Sequence, residues 1–470
     1  MPPRTSREMV EPRSVMRKYR SSQDAVPEED EDFVGVRVLT AAFFQIVKRR
    51  AKPNSCVTAT RCVIEAIGRT IYTITTAAFL KSGLVQTAGS IEPTGRPTTS
   101  NASPRTAPAR SSGTSSAAPS TTHSRPRRRI IGLDIARALA LIGMVVAHLM
   151  EPEGWPAEIV RGFPSALFAV LAGMSLSIMG SRGVREGGPA LAASRHGLLV
   201  RGVILIVLGE AITPFAGTIN VVLTAFGICY IALACAPRWR TRTLMVVLAW
   251  TIILSAVCHV LDATVGVPSQ ALTGAYPAFA WASYMIIGLL AHRLVTGSTR
   301  AQVLTAVIGL PLAVAGAVAR NTIDVVAAVS SDELSTIIPM MLIDPVTHSG
   351  ALIDIVATAG GALSVVSLCL LVFRGTRTGW ASRLAFPLQA MGSMSLTVYV
   401  CHVLSAGRFL SDDAPLRMPV LGAATILFTL ALATIIRLRF DHGPLEWALR
   451  RLIRTATDQG RPGRTIPDLT

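Results

Sequence analysis

Residues 131–150 read IGLDIARALALIGMVVAHLM, an apolar run about long enough to cross a bilayer that nevertheless holds Asp134, Arg137 and His148. Ionisable side chains at membrane depth cost roughly 2.5 to 3.5 kcal/mol each on insertion scales, so they persist where they face a polar cavity and perform a task. Arg137 precedes His148 by eleven residues. Eleven residues make about three helical turns, which returns both side chains to nearly one face and leaves Arg137 roughly 16 Å deeper. One helix face then presents a permanent cation deep in the membrane and a titratable base near its outer surface. The stretch points to a buried polar site, and from there to a membrane enzyme.

Working outward, the chain keeps this character. Hydrophobic residues make up 50% and charged residues 16%, the mean hydropathy is +0.49, and apolar residues gather in runs of bilayer length. The expected fold is all-α, a polytopic membrane helix bundle of about ten transmembrane helices. The spans fall near 131–150, 163–180, 195–213, 218–236, 243–262, 276–294, 301–319, 350–373, 384–407 and 417–436. A formal charge of +17 would suggest nucleic acid in a soluble domain, but here the arginines sit in short loops, where they set orientation. Nucleic acid is therefore not an expected partner; the lipid bilayer is.

Those loops alternate. Arg125, Arg127, Arg128 and Arg129 precede the first span; Arg182, Arg185 and Arg195 follow the second, and Arg238, Arg240 and Arg242 the fourth. Arg293 and Arg300 follow the sixth, Arg374, Arg377 and Arg383 the eighth, and Arg437, Arg439, Arg450, Arg451 and Arg454 the tenth. The other loops hold only Arg161, Arg320, Arg408 and Arg417. The pattern puts both termini in the cytoplasm of a multi-pass plasma (inner) membrane protein. With that orientation, His148, Glu210, His259, Asp262, His348, Asp354 and His402 all fall nearer the extracytoplasmic face.

Three regions follow: a tail over 1–127, the bundle over 128–455, and a cytoplasmic tail over 456–470. Residues 86–127 are dominated by Ser, Thr, Pro, Ala and Gly and cannot bury enough apolar surface to offset their ordering entropy, so disorder is expected. The segments 33–50 and 62–85 have the composition of short interfacial helices, interrupted by Arg37, Lys48, Glu65, Arg69 and Lys81. The chain does not open on a signal-peptide pattern, and a misassigned start codon would produce the same tail. Of the seven cysteines, Cys229, Cys235, Cys258, Cys369 and Cys401 lie in or beside apolar runs as small hydrophobes, while Cys56 and Cys62 lie in the tail. No metal-spaced cluster and no nucleotide-binding loop is present in the sequence.

The run RALALIGMVVAH, Arg137 to His148, resembles the Arg, ten residues, His signature of the transmembrane acyltransferase family often called acyltransferase-3. The preceding Leu133-Asp134 and FPSALFAVLAGMSLSIMG, residues 163–180, look still more like the heparan-alpha-glucosaminide N-acetyltransferase family and its YeiB-like bacterial relatives. The resemblance continues in HSGALIDIVATAGGALSVVSLCLLV from His348, LQAMGSMSLTVYVCHVL from Leu388 and FDHGPLEWALRRL from Phe440, the last characteristic of the YeiB-like group. It implies transfer of an acyl group from a cytoplasmic acyl-CoA donor to an extracytoplasmic, sugar-like or glycolipid acceptor. His148 would be the base, since a neutral imidazole can take a hydroxyl proton or carry the acyl group itself. Arg137 would pair with Asp134, with donor phosphates or with the developing oxyanion. His402 and His348 would complete the site on the outer side. The sugar-acetylating relatives carry a histidine in the loop after the first span. Here that loop, EPEGWPAEIVRG, has none, so the chain either lacks the activity or relies on His148, His348 or His402.

Plainer readings stand beside these. His148 could be an interfacial histidine, and His402 one satisfied by a neighbouring helix. Glu210 is either a site acid or an interhelical hydrogen-bond partner, and Asp134 with Arg137 could be an i,i+3 packing pair. Gly173, Ser175 and Ser177 read as small residues for close helix packing, and His123, His196, His292 and His442 as solvated or headgroup-facing. GPLEW reads as the cap of a short interfacial helix. A non-catalytic scaffold or a small-molecule transporter would also carry buried charge, although the chain shows no internal repeat.

Overall fold

The computed structural model describes residues 130–267, 269–330, 333–374, 383–407 and 418–458. The expectations for the tail 1–127, for Arg128, Arg129, Arg377, Arg408 and Arg417, and for residues 459–470 lie outside these.

Every regular element among the described residues is helical. Seven stretches among the described residues are long and apolar enough to cross a membrane. The first is α1 (Ile131–Val145), which runs on into a π-helical turn, Val146–Met150. A short helix α2 (Trp155–Val160) leads into α3 (Phe163–Glu186), and α4 (Gly188–Ile212) follows. After α5 (Leu223–Ala232) come α6 (Thr241–Val265), the single turn α7 (Gln270–Thr273), α8 (Ala278–Leu294) and α9 (Thr299–Thr322). Short α10 (Val325–Val329) and α11 (Leu334–Leu342) precede α12 (Leu352–Val372). Then α13 (Phe386–Ser393) and α14 (Ser395–Gly407) meet at a bend of 82° and make an eighth crossing if counted as one span. The chain continues through α15 (Pro419–Arg439) and α16 (Pro444–Asp458), so the expected boundary at 455 falls inside a helix.

Helices occupy all ten expected span positions, but by length and composition seven or eight of them suffice to cross. The two that fall short are α5, of 10 residues, and α8, of 17. At 1.5 Å per residue these measure about 15 and 26 Å against a hydrocarbon core of about 30 Å. The apolar run over 218–236 is longer than its helix because Gly217, at φ 59, turns the chain before Leu223 and a 3-10 turn takes it on from Ala236. Pro277 likewise delays the start of α8. Both short helices lie inside the bundle, with Phe226, Tyr230, Trp281, Tyr284 and Met285 all buried, so their length has no lipid to match.

Successive helices run between two ends of the bundle. One end carries Arg182, Arg195, Arg238, Arg240 and Arg300; the other carries His148, His348 and Arg320. At the arginine end Arg293 closes the turn after α5 by donating to the carbonyls of Trp239, Pro237 and Ala236. At the histidine end the Tyr276 hydroxyl donates to Asn220 O at 2.9 Å, and Tyr399 accepts from Val222 N at 3.2 Å.

Glycines set the helix spacing. A Cβ on Gly288 of α8 would lie 2.0 Å from Val170 O of α3, and one on Gly173 of α3 would lie 2.0 Å from Met285 O of α8. The two backbones therefore cross in direct contact, as small residues permit in membranes. Gly392 of α13 meets α1 the same way, 1.6 Å from Asp134 O. Thus α1, α3 and α12 form the centre, while α6, α9 and α15 turn Trp250, Val307, Leu310, Leu427, Phe428 and Ile435 outward. Such a surface suits lipid rather than water.

Candidate functional site

Three of the four site residues expected from sequence come together at the histidine end. The π turn ends α1, and Glu151 N closes it on Val146 O at 3.2 Å, with Glu151 at φ 38. Such widened turns occur in helices mostly singly and often at functional sites. This one carries His148 to the ring of His402 on α14, with centroids 5.7 Å apart and planes 23° apart. His402 is 1% exposed, and neither of its ring nitrogens has a hydrogen-bond partner.

His348 approaches from the loop before α12. Its Nε2 lies 3.1 Å from Ser165 Oγ, and Ser165 in turn donates to Gly162 O at 2.8 Å. Trp281 and Tyr276 surround the ring, with centroids at 5.5 and 5.7 Å. His348 holds a left-handed backbone at φ 69, uncommon outside glycine. Burial lowers its pKa to about 4, with the neighbouring charge of His148 pushing the same way and a hydrogen bond with the Ala275 backbone opposing. The imidazole is therefore neutral near pH 7 and able to accept a proton.

Arg137 is not part of this cluster. Its Nη1 donates to Asp134 Oδ1 at 2.6 Å and its Nη2 to Ser175 Oγ at 2.9 Å, so the i,i+3 pair is formed and tied to α3. Ser175 and Ser177 do more than pack, since Ser177 Oγ meets His292 Nδ1 at 2.9 Å. His292 is thereby drawn inward from its expected headgroup-facing position. Glu210 accepts from Thr224 Oγ1 at 2.7 Å, an interhelical partner for α5. His259 is bound to Asp344 Oδ2 at 2.8 Å, and Asp262 accepts from Val267 N at 3.0 Å.

A second polar group lies beside His348; the sequence places its Asp354 near the outer face but does not connect it with Arg320. Arg320, at the end of α9, donates Nε to Glu158 Oε2 of α2 at 2.9 Å; the two side chains are 8% and 10% exposed. Its guanidinium stands over the Phe163 ring at 5.6 Å, while Nη1 and Nη2 are buried without an acceptor. Across from it on α12, Asp354 is 1% exposed, with Oδ2 accepting from Gly350 N at 3.1 Å and Oδ1 unpartnered. Each orphaned group costs roughly 1–3 kcal/mol in desolvation. In the sequence Arg320 reads as a loop charge, because nothing local marks its partner, which lies 162 residues away.

Residues 298–456 match the family model described as a protein of unknown function, DUF418. The match takes in about a third of the chain, with His348, His402, Arg320 and Asp354 inside it and His148 outside. DUF418 is a family of membrane proteins, in keeping with the helices, and carries no catalytic assignment. No curated protein matches the chain.

Proposed function

We propose that this chain is a membrane-embedded acyltransferase whose proton-transfer centre is the cluster of His148, His402 and His348. The observation that carries the reading is the stacking of the half-buried His148 on the buried His402, whose imidazole has no hydrogen bond to give it a structural role. Buried histidines without partners are costly, and an unengaged imidazole is what general-base chemistry uses. In the reaction, an acceptor hydroxyl or amine attacks the carbonyl of an acyl thioester. The new C–O or C–N bond forms as the C–S bond breaks, and the acceptor proton passes through an imidazole to the departing thiolate. Arg loops at one end of the bundle support placing that end in the cytoplasm, where an acyl-CoA donor would approach, with the histidines on the opposite side. The resemblance of Arg137 to His148 to the acyltransferase signature supports the same reaction class, and a sugar-like acceptor.

One observation favours a non-catalytic reading. Arg137 is held by Asp134 and Ser175 as a packing pair would be. The deciding experiment is acyl transfer by purified protein and its His148→Ala and His402→Phe variants at matched thermal stability. Loss of transfer in both is expected. Full activity in His148→Ala removes the reading.

A further inference from the structure

We propose that Arg320 and Asp354 form a recognition subsite beside the histidine cluster for a group bearing a cationic nitrogen next to an oxyanion, the arrangement found in phosphoethanolamine. The helices themselves set the two residues opposite each other. On α9 and α12 the contacts are Ala313 against Gly361 and Gly316 against Ala357, so the helices run antiparallel. Seven residues, about two turns, lead outward from Ala313 to Arg320 and from Gly361 to Asp354 on the same faces. The side chains lie within electrostatic reach of each other, yet no ion pair joins them.

The chemistry left open on each side is complementary to a zwitterion. Glu158 occupies only Nε of Arg320, and the remaining Nη1 and Nη2 are the two donors that grip an oxyanion in a fork. Oδ1 of Asp354 offers an acceptor for an ammonium group. A simple anion on the fork would join Glu158 and Asp354 around one buried guanidinium, with only the exposed Arg161, 3.8 Å from Glu158, as a second cation. A simple cation at Asp354 would sit beside that guanidinium. A group carrying both charges offsets both residues in a medium where unpaired charge is expensive. The Gly350 N–H that holds Asp354 belongs to the loop of His348, and Phe163 under Arg320 adjoins Gly162, which packs on His348. The subsite's purpose, presenting an acceptor to the histidines, rests on the acyl-transfer reading; its binding does not.

The test is calorimetric titration of the full chain in phosphatidylglycerol nanodiscs with phosphoethanolamine, using inorganic phosphate and ethanolamine as single-charge controls. Saturable phosphoethanolamine binding is expected, weakened at least about tenfold in Arg320→Lys, which keeps a charge for Glu158 but loses the fork, and in Asp354→Asn. If Asp354→Asn fails to fold, Arg320→Lys carries the comparison. Equal binding by wild type and Arg320→Lys, or none by folded wild type, overturns the subsite. Phosphate binding as tightly as phosphoethanolamine overturns the zwitterion. Native mass spectrometry from mixed nanodiscs identifies the source: phosphatidylethanolamine retained by wild type and lost in Arg320→Lys supports a lipid headgroup, and binding without retention supports a soluble molecule. His148→Ala should keep phosphoethanolamine affinity. If that variant also keeps transfer activity, the acyl-transfer reading fails and the subsite stands.

Discussion

Thr397 and Glu446 cap each other's helices. Glu446 Oε2 accepts from Thr397 Oγ1 at 2.6 Å and Oε1 from the backbone N–H groups of Leu396 and Thr397 at 2.7 and 3.1 Å, so it closes the start of α14. Thr397 Oγ1 accepts from Leu445 N at 3.2 Å and closes the start of α16 in return. A carboxylate at a helix N-terminus is favourable both for its hydrogen bonds and for the helix dipole. It fixes α14 just past the 82° bend, and His402 rides on α14.

Glu446→Ala should therefore destabilise the fold by roughly 2–4 kcal/mol, and Glu446→Gln by less. Thermal unfolding measures the first effect. The second readout is maleimide labelling of Cys401, half-buried beside His402, which should accelerate in the alanine variant as α14 loosens. Unchanged labelling with unchanged stability would show that the bend holds without this carboxylate.

The sequence made the helical class legible because period and run length are local properties, and it singled out His148, His348 and His402 because a histidine in an apolar run stands out. It could not show the reciprocal cap, since GPLEW looks like an ordinary helix start until Thr397 is brought against it. Nor could it separate buried short helices from crossings, because α5 and α8 are as apolar as true spans and only their turns shorten them. Arg137 stands out in the sequence as a deep cation for which Asp134 is one available partner; the tie to Ser175 of α3 is visible only in the packed structure. Arg320 is not legible for the converse reason, its significance lying in its partner Glu158 on α2 and in the nearby Asp354 on α12.

Stability should fall with acidity because of His348. Its pKa is about 4 in the fold against 6.5 for the free group, so between these values the unfolded chain binds more protons than the folded one. The contribution is complete above about 6.5 and is lost as pH falls towards 4. Unfolding temperatures across this range should drop, and the part due to His348 should vanish in His348→Asn, since asparagine tolerates the left-handed backbone. A variant with the wild-type slope would assign the acid sensitivity elsewhere.

The α3–α8 crossing should be intolerant of a single methyl group. Gly288→Ala places a Cβ against the Val170 carbonyl, a backbone atom that cannot swing aside, whereas a Cβ at Gly297 meets nothing within 4 Å. Overpacking of this kind costs roughly 1–3 kcal/mol. Gly288→Ala should thus lower the unfolding temperature and Gly297→Ala should leave it unchanged, as read by scanning fluorimetry in one detergent. Equal behaviour of the two would mean that the helices can separate without loss.

Arg137 supplies the sharpest division between structure and chemistry. Its guanidinium neutralises Asp134, which is 5% exposed, and reaches Ser175 on the neighbouring helix. Breaking a buried pair by removing one partner costs roughly 3–5 kcal/mol, while replacing both with apolar residues of similar volume is often neutral. Arg137 is about 20% exposed, which moves the expected loss toward the lower end of that range. Arg137→Met should accordingly unfold at lower temperature, and the double variant Asp134→Leu, Arg137→Met should recover most of the loss. If the recovered double variant also transfers acyl groups, Arg137 serves packing alone. If it folds normally yet no longer binds acyl-CoA, the arginine holds the donor and the Asp134 pair merely stores it.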